Sequence, residues 1–277
     1  MKIYKSNRGI LIENEGSFYL LEEDWDFFIN DDDLFEKIKQ TISTTDPAEQ
    51  GKELLNDGLQ APVQSQELWA SGVTYYNSKL GREEESKTSG GGDFYSRVYD
   101  ADRPELFFKA SGHRIVGPGE MVTIREDSSW DVPEPELTLV ITSNAHIVGY
   151  TIGNDMSSRS IEGENPLYLP QAKTWDGSAA LGPCIYVTEE PLPPETLVEM
   201  EITRGDAVVF KEAIAIEQIK RTFDELVSYL YKACTFPNGS LLMTGTGIVP
   251  SSDFTLHHGD EIRITIAPIG TLINKVR

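Results

Sequence analysis

Several things are scarce in this chain of 277 residues. Only two cysteines occur, Cys184 and Cys234, too few for a disulfide scaffold and not arranged as Cys-x-x-Cys. Both read as small buried hydrophobes, which fits a reducing cytoplasm. No uncharged apolar run approaches the ~18 residues a membrane span needs. Nothing apolar follows the positively charged start Met1–Arg8, so a signal peptide is not expected. Cations are few: 24 Lys+Arg stand against 45 Asp+Glu, a formal net charge of −21. Such a surface repels phosphate backbones and argues against nucleic-acid binding. It reads as a solubility device. A small anionic substrate stays open, because a bound divalent cation and a few local cations can reverse the field inside one pocket. There is no repeat and no low-complexity tract. With 39% hydrophobic and 25% charged residues the chain is globular, not fibrous or disordered.

Residues 1–68 read as a small α+β unit. Ile10-Leu11-Ile12 and Phe18-Tyr19-Leu20-Leu21 flank the turn signal Asn14-Glu15-Gly16, a β-hairpin pattern. Asp31-Asp32-Asp33 starts a helix at Leu34, and a second short helix is expected over Pro47–Leu55. Gln60–Ser65 looks like a linker, which places a domain boundary near 65–69. Beyond it strands dominate: 106–109, 121–124, 137–141, 147–152, 198–203, 208–216, 241–244 and 262–266. One clear helix interrupts them. Thr222 and Glu225 form a capping box, followed by Phe223, Leu226, Val227, Leu230 and Cys234 at helical spacing. The glycine run 90–92 and the charged segment 82–87 before it read as one mobile loop.

The chemistry concentrates between 130 and 183. In Glu134-Pro135-Glu136 the two carboxylates share one strand face, ~6.5 Å apart. Pro135 offers no ladder N–H and marks a strand start, edge or bulge. Folding the following hairpin about Asn144–Ala145 makes paired residue numbers sum to 289. Leu137, Leu139 and Ile141 then meet Ile152, Tyr150 and Val148 on one apolar face, which fixes the parity. The other face pairs Thr138 with Thr151, Glu136 with Gly153, and Glu134 with Asp155. A third carboxylate thus lands beside the first two, with a glycine leaving room for an ion. Three oxygen ligands suit Mg²⁺, Mn²⁺ or Ca²⁺ better than a closed zinc site. Without a cation at least one of the three would be protonated. A solvated acidic strand edge is the bland alternative. Lys173 follows, either a surface lysine or, beside a metal, a base. Thr244-Gly245-Thr246-Gly247 is either an ordinary glycine turn or backbone N–H groups approaching an anion.

In order and spacing these pieces resemble the fumarylacetoacetate hydrolase (FAH) superfamily over about 69–277. The matching strings are Glu134-Pro135-Glu136, Gly149-Tyr150-Thr151-Ile152-Gly153-Asn154-Asp155-Met156-Ser157-Ser158-Arg159, Lys173 with Asp176, Leu181-Gly182-Pro183, Thr244-Gly245-Thr246 and Gly259-Asp260. The resemblance implies a β-rich α+β catalytic fold of several packed sheets with few helices. It implies Mg²⁺ (or Mn²⁺ or Ca²⁺) held by Glu134, Glu136 and Asp155, Lys173 at the reactive centre, and a homodimer or higher homo-oligomer. Two departures stand out. Ser160 replaces a common aspartate. Ser78 stands where hydrolytic members carry a lid histidine, and the four histidines (113, 146, 257, 258) lie elsewhere. The segments 72–86, Arg103–Lys109 and Asn165–Tyr168 are instead similar to the sugar-acid dehydratase branch.

The expected function is therefore metal-dependent dehydration of a 2-keto-3-deoxy sugar acid through a metal-stabilised enolate, in the cytoplasm. Lys173 would move the C3 proton. Ser78 or Arg82 would orient the departing hydroxyl, Lys109 would pair with the substrate carboxylate, and Thr246 would bond a substrate oxygen. Gln171 is placed among the same substrate contacts. The alternatives are hydrolytic C–C cleavage of an acylpyruvate-type diketo acid and a metal-binding scaffold without turnover.

Overall fold

A computed structural model of the chain describes residues 1–49, 51–56, 58–85 and 97–277, the side chains of 82–85 excepted. Its largest sheet runs in the order Ser17–Leu21, Gly9–Asn14, Lys2–Ser6, Ala179–Tyr186, Ile147–Asp155, Pro135–Ile141, Ser240–Met243, Glu67–Gly72, Glu105–Ser111. Leu59–Gln60 adds beside Lys2–Ser6, and Ile115–Val116 beside Ala179–Tyr186. A second sheet of five strands runs Ala207–Ala215, Leu197–Arg204, Glu261–Ile266, Gly270–Val276, Met121–Val122. Asp131–Val132 and Ser157–Ser158 form a small third sheet.

The strands 135–141 and 147–155 sit mid-sheet and are buried almost throughout. Alternation sends their side chains into two cores. Leu137, Leu139, Ile141, Tyr150 and Ile152 join Val198, Met200, Ile262 and Ile264 of the five-stranded sheet. Val140, Val148 and Met243 join Ile3, Ile10, Phe28, Leu34 and Ile38 from the N-terminal segment. The boundary expected near 65–69 therefore falls inside one continuous sheet and one shared core. Lys2 and Ile3 pair directly with Tyr186 and Ile185.

The hairpin 135–155 has the expected register: Glu136↔Gly153, Leu137↔Ile152, Thr138↔Thr151 and Leu139↔Tyr150. Near the turn a bulge between Val140 and Ile141 shifts it, so Ile141 faces Ile147 and not Val148. Ala145 takes the left-handed conformation there, at φ 65°. Asn14-Glu15-Gly16 makes the first hairpin turn, with φ 51° and 81° at Glu15 and Gly16. Thr222 caps its helix by accepting from the Glu225 N–H at 3.2 Å. That helix ends at Leu230, a turn before Cys234. The strands 2–6, 67–72 and 179–186 and the short helices Arg159–Glu164 and Leu169–Lys173 exceed what the patterns predict. The glycine run 90–92 lies outside the described residues.

Candidate metal centre

The acidic cluster is built from the backbone upward. Glu134 lies one residue before the strand Pro135–Ile141, flanked by prolines on both sides. Its backbone still continues the ladder. The Glu134 N–H donates to Asp155 O at 3.2 Å, and the Asp155 N–H returns the bond to Glu134 O at 2.9 Å. Glu134, Glu136 and Asp155 consequently project from one face. Each offers an oxygen within 4.8 Å of the others, and all three residues are buried. Gly153, opposite Glu136, does not open space for an ion. A Cβ there would lie 2.4 Å from Thr138 Oγ1 and 2.7 Å from Met243 Cε, so the glycine admits these neighbours.

Cations surround the cluster. The Lys173 ammonium donates to Glu134 Oε2 at 2.6 Å, Asp155 Oδ2 at 3.0 Å and Ser157 Oγ at 2.5 Å. Lys173 ends the helix Leu169–Lys173, whose start carries Pro170 and whose inner face buries Ala172 and Lys173. Arg159 opens the helix after Asp155 and donates to Glu134 Oε1 at 2.7 Å. Lys109, fully buried on the strand Glu105–Ser111, pairs with Asp155 Oδ1 at 2.6 Å. It also donates to Met156 O at 2.9 Å and to the Lys173 carbonyl. Three carboxylates thus meet three cations.

The balance is uneven. Among the described residues Glu136 forms no ion pair; it accepts from the Gly245 N–H at 2.5 Å. Burial, then the charges of Asp155 and Glu134, push its carboxyl well above the usual range. Asp155 goes the other way. Burial would raise it, but Lys109 and Lys173 outweigh that and hold it low. Burial lowers Lys109 despite its Asp155 partner. The Thr-Gly-Thr turn does present an N–H to an anion, and that anion is Glu136 itself.

Hard oxygen donors, converging, dry and carrying one uncompensated carboxyl, fit a divalent cation of the Mg²⁺ or Ca²⁺ kind. Around them is a cavity lined also by Ser78, Thr246, Phe107 and the turn Ser71–Val73. Ser78 and Thr246 therefore stand at the cavity. Lys109 does not. It lies behind Asp155 with its donors committed to the protein, so it has no reach to a substrate carboxylate. Gln171 is exposed on the outer face of its helix and only lends its carbonyl to Arg125 at 3.3 Å. Arg82 is in the helix Tyr76–Glu85, its side chain outside the described residues. Ser160 bonds Ser128 Oγ at 3.0 Å, away from the carboxylates. Asp176 is 90% exposed and paired with Arg114.

Two residues escaped the sequence reading. Arg159 is visible in the Asp155–Arg159 block, but only folding shows it gripping Glu134. Glu105 pairs in register with Gly72, and a Cβ on Gly72 would lie 2.0 Å from Glu105 Oε2. That oxygen is buried, has no hydrogen-bond partner among the described residues and lies against Gly72, which lines the cavity. The spacing of a lone glutamate gives no signal for this.

A family model described as fumarylacetoacetate (FAA) hydrolase, C-terminal, matches residues 80–277. The chain belongs to the fumarylacetoacetate hydrolase family. Within it, the chain is 50% identical over 216 residues to a protein described as a probable 2-keto-3-deoxyxylonate dehydratase from Haloferax volcanii, covering 78% of this chain and 73% of that one. It is 43% identical over 218 residues to the 2-dehydro-3-deoxy-D-arabinonate dehydratase of Saccharolobus solfataricus, with the same coverage of 78% and 73%. A solved structure of 2-keto-3-deoxy-D-arabinonate dehydratase complexed with magnesium and 2,5-dioxopentanoate superposes with a TM-score of 0.86 at 34% identity, over 100% of this chain and 99% of that one. The likeness of the whole chain to that structure includes the N-terminal segment, which the family model does not reach.

Proposed function

We propose that the protein is a Mg²⁺-dependent dehydratase of 2-keto-3-deoxy sugar acids, acting on five-carbon members. The observation that carries this reading is the cluster itself: three buried carboxylates and Lys173 on one cavity, with Ser78 in place of a water-activating histidine. The similarity to the two dehydratases supports it, as does the magnesium and 2,5-dioxopentanoate held by the solved relative.

Glu134, Glu136 and Asp155 hold the cation, which when bound draws electron density from the 2-oxo group and so acidifies C3. Lys173, with Nζ in its neutral amine form, takes the proton from C3. Its bonds to Glu134, Asp155 and Ser157 hold Nζ against the carboxylates that would bind the cation. Arg159 fixes Glu134 by its second oxygen. Ser78 orients the C4 hydroxyl, and Glu105 moves a proton at that hydroxyl so that it departs as water. Thr246 offers its hydroxyl to a substrate oxygen. The C3–H and C4–O bonds break, a C3–C4 double bond forms, and one water leaves. A proton then moves from C5 to C3, leaving an enol at C4–C5, and the enol hydroxyl proton passes to C4; this gives the aldehyde of 2,5-dioxopentanoate, with all five carbons kept. No step needs an activated water, which is what separates this reading from C–C hydrolysis.

The chain works as a homodimer in the cytoplasm. The strand Ala207–Ala215 ends the five-stranded sheet with Val208 55% and Val209 37% exposed, which favours a partner. Both cysteines are free. No helix of the described residues is long and apolar enough to cross a membrane.

The test supplies Mg²⁺ and either a 2-keto-3-deoxypentonate or an acylpyruvate. The sugar acid should yield 2,5-dioxopentanoate, the acylpyruvate little product. Lys173→Ala should lose about 10²–10⁴ in rate while still binding Mn²⁺. Pyruvate released from the acylpyruvate, with the sugar acid untouched, would reverse the assignment.

A further inference from the structure

The chain leaves the large sheet at Gly72 and re-enters it at Glu105, which pairs with Gly72. The outgoing limb supplies the cavity with Val73 and Ser78. Val73 holds φ 52°, a conformation that a β-branched residue rarely adopts and that is strained. Something must over-determine this limb. Part of the answer is the Thr-Gly-Thr turn: Thr74 Oγ1 donates to Thr244 O at 2.7 Å, and Asn77 Nδ2 to Gly247 O at 3.2 Å.

The rest comes from the segment 219–221 ahead of the capped helix, through its main chain and two cationic side chains. The Lys220 N–H donates to Thr74 O at 2.9 Å, and Tyr75 bridges Ile219, so the outgoing limb is tied here. The return limb is tied to the same place. Arg221 donates to Val98 O at 3.1 Å, Asp102 O at 3.2 Å and the Ala101 carbonyl. Lys220 Nζ donates to the Tyr99 carbonyl and to Asp100 Oδ1 at 3.1 Å, and lies 4.2 Å over the Tyr99 ring. The two limbs also touch each other. Tyr76 and Tyr99 meet edge to face at 6.2 Å, and Lys79 pairs with Asp100 at 3.8 Å. Glu225 aims Arg221 by accepting from it at 2.6 Å.

We infer that Arg221, aided by the Lys220 side chain, is a positioning residue that holds the return limb at 98–102 against the outgoing limb, which the 219–220 backbone ties at 74–75, and thereby sets Ser78 at the cavity. Its guanidinium is 8% exposed and forked, which suits several carbonyls at once; a lysine point charge does not. The clamp touches neither the metal ligands nor Lys173. It therefore acts on substrate orientation and leaves cation binding alone. This inference rests on the dehydratase reading only for the assay that reports it.

The experiment compares full-length wild type with Arg221→Gln and Lys220→Ala. Amide hydrogen exchange, Mn²⁺ titration and dehydration of a 2-keto-3-deoxypentonate are read on each. In Arg221→Gln, exchange should rise at 98–102 and also at 74–78, with 135–141 and 147–155 as in wild type. Mn²⁺ affinity should be unchanged. kcat/KM should fall by about tenfold to a hundredfold, the range for a displaced orienting group. Lys220→Ala, at a half-exposed position, should show the same pattern more weakly and serves if Arg221→Gln does not fold. Faster exchange at 98–102 with 74–78 unaltered would overturn the clamp. So would unchanged kinetics, or Mn²⁺ affinity falling in step with kcat/KM. Should the wild type itself not dehydrate the sugar acid, the dehydratase reading fails, while exchange and Mn²⁺ binding still decide the clamp.

Discussion

Glu136 is the residue on which the metal centre turns, because it forms no ion pair among the described residues and its burial and the neighbouring carboxylates outweigh the Lys173 charge. Glu136→Gln removes the carboxylate charge and one ligand, so Mn²⁺ affinity by calorimetry should drop sharply. Asp176→Asn, at an exposed ion pair, should leave it unaltered. The same residue sets a pH dependence. Burial first, then Asp155 and Glu134, raise the folded-state pKa of Glu136 above its unfolded value. Its contribution to stability is complete below the unfolded value and is lost as pH rises through the folded one. A bound cation takes the ionised form and restores the loss. The gain in Tm from a fixed excess of Mg²⁺ should thus grow with pH above the ordinary carboxylate range. Equal gains at every pH would contradict this. Asp155, held low by Lys109 and Lys173 against its burial, contributes stability that is lost only as pH falls through its folded value. It stays silent in that window. At a hundredfold excess over Kd the binding adds about 2.7 kcal/mol.

At the level of elements, the hairpin 135–155 carries the site, and its register can be tested at Gly153. Ala there would drive a Cβ into Thr138 Oγ1 and Met243 opposite Glu136. Overpacking of this kind costs about 1–3 kcal/mol. Gly153→Ala should therefore melt earlier and bind Mn²⁺ more weakly, both measurable on one preparation. The register was legible because apolar alternation leaves only one parity, and a turn placed at Asn144–Ala145 then brings Glu134 to Asp155. The bulge at Val140 was not, since it is a backbone event that no side-chain pattern announces. Lys109 misled for a different reason. It comes from a strand 46 residues before Asp155, and only packing shows that the carboxylate claims it. Gln171 turned outward because its five-residue helix buries only its last two side chains.

For the molecule as a whole, residues 1–68 are part of the sheet that holds the site. Ile3, Ile10, Phe28, Leu34 and Ile38 cover the back of Val140 and Met243. A fragment of 69–277 should consequently be insoluble or unfolded by circular dichroism; a folded, Mn²⁺-binding fragment would show the segment to be separable. The composition of 1–68 suggested a separate unit because its own hairpin and helices are locally complete, and sequence does not reveal which far strand a hairpin edge will meet. That edge meets a late one. Lys2 and Ile3 find Tyr186 and Ile185. At a synthesis rate of ~5–20 residues per second, on the order of ten to forty seconds pass before the partner exists. Through that interval the first strand offers an open hydrogen-bonding edge beside Ile3, Ile10 and Ile12, so the newborn chain is most exposed to aggregation at its oldest end.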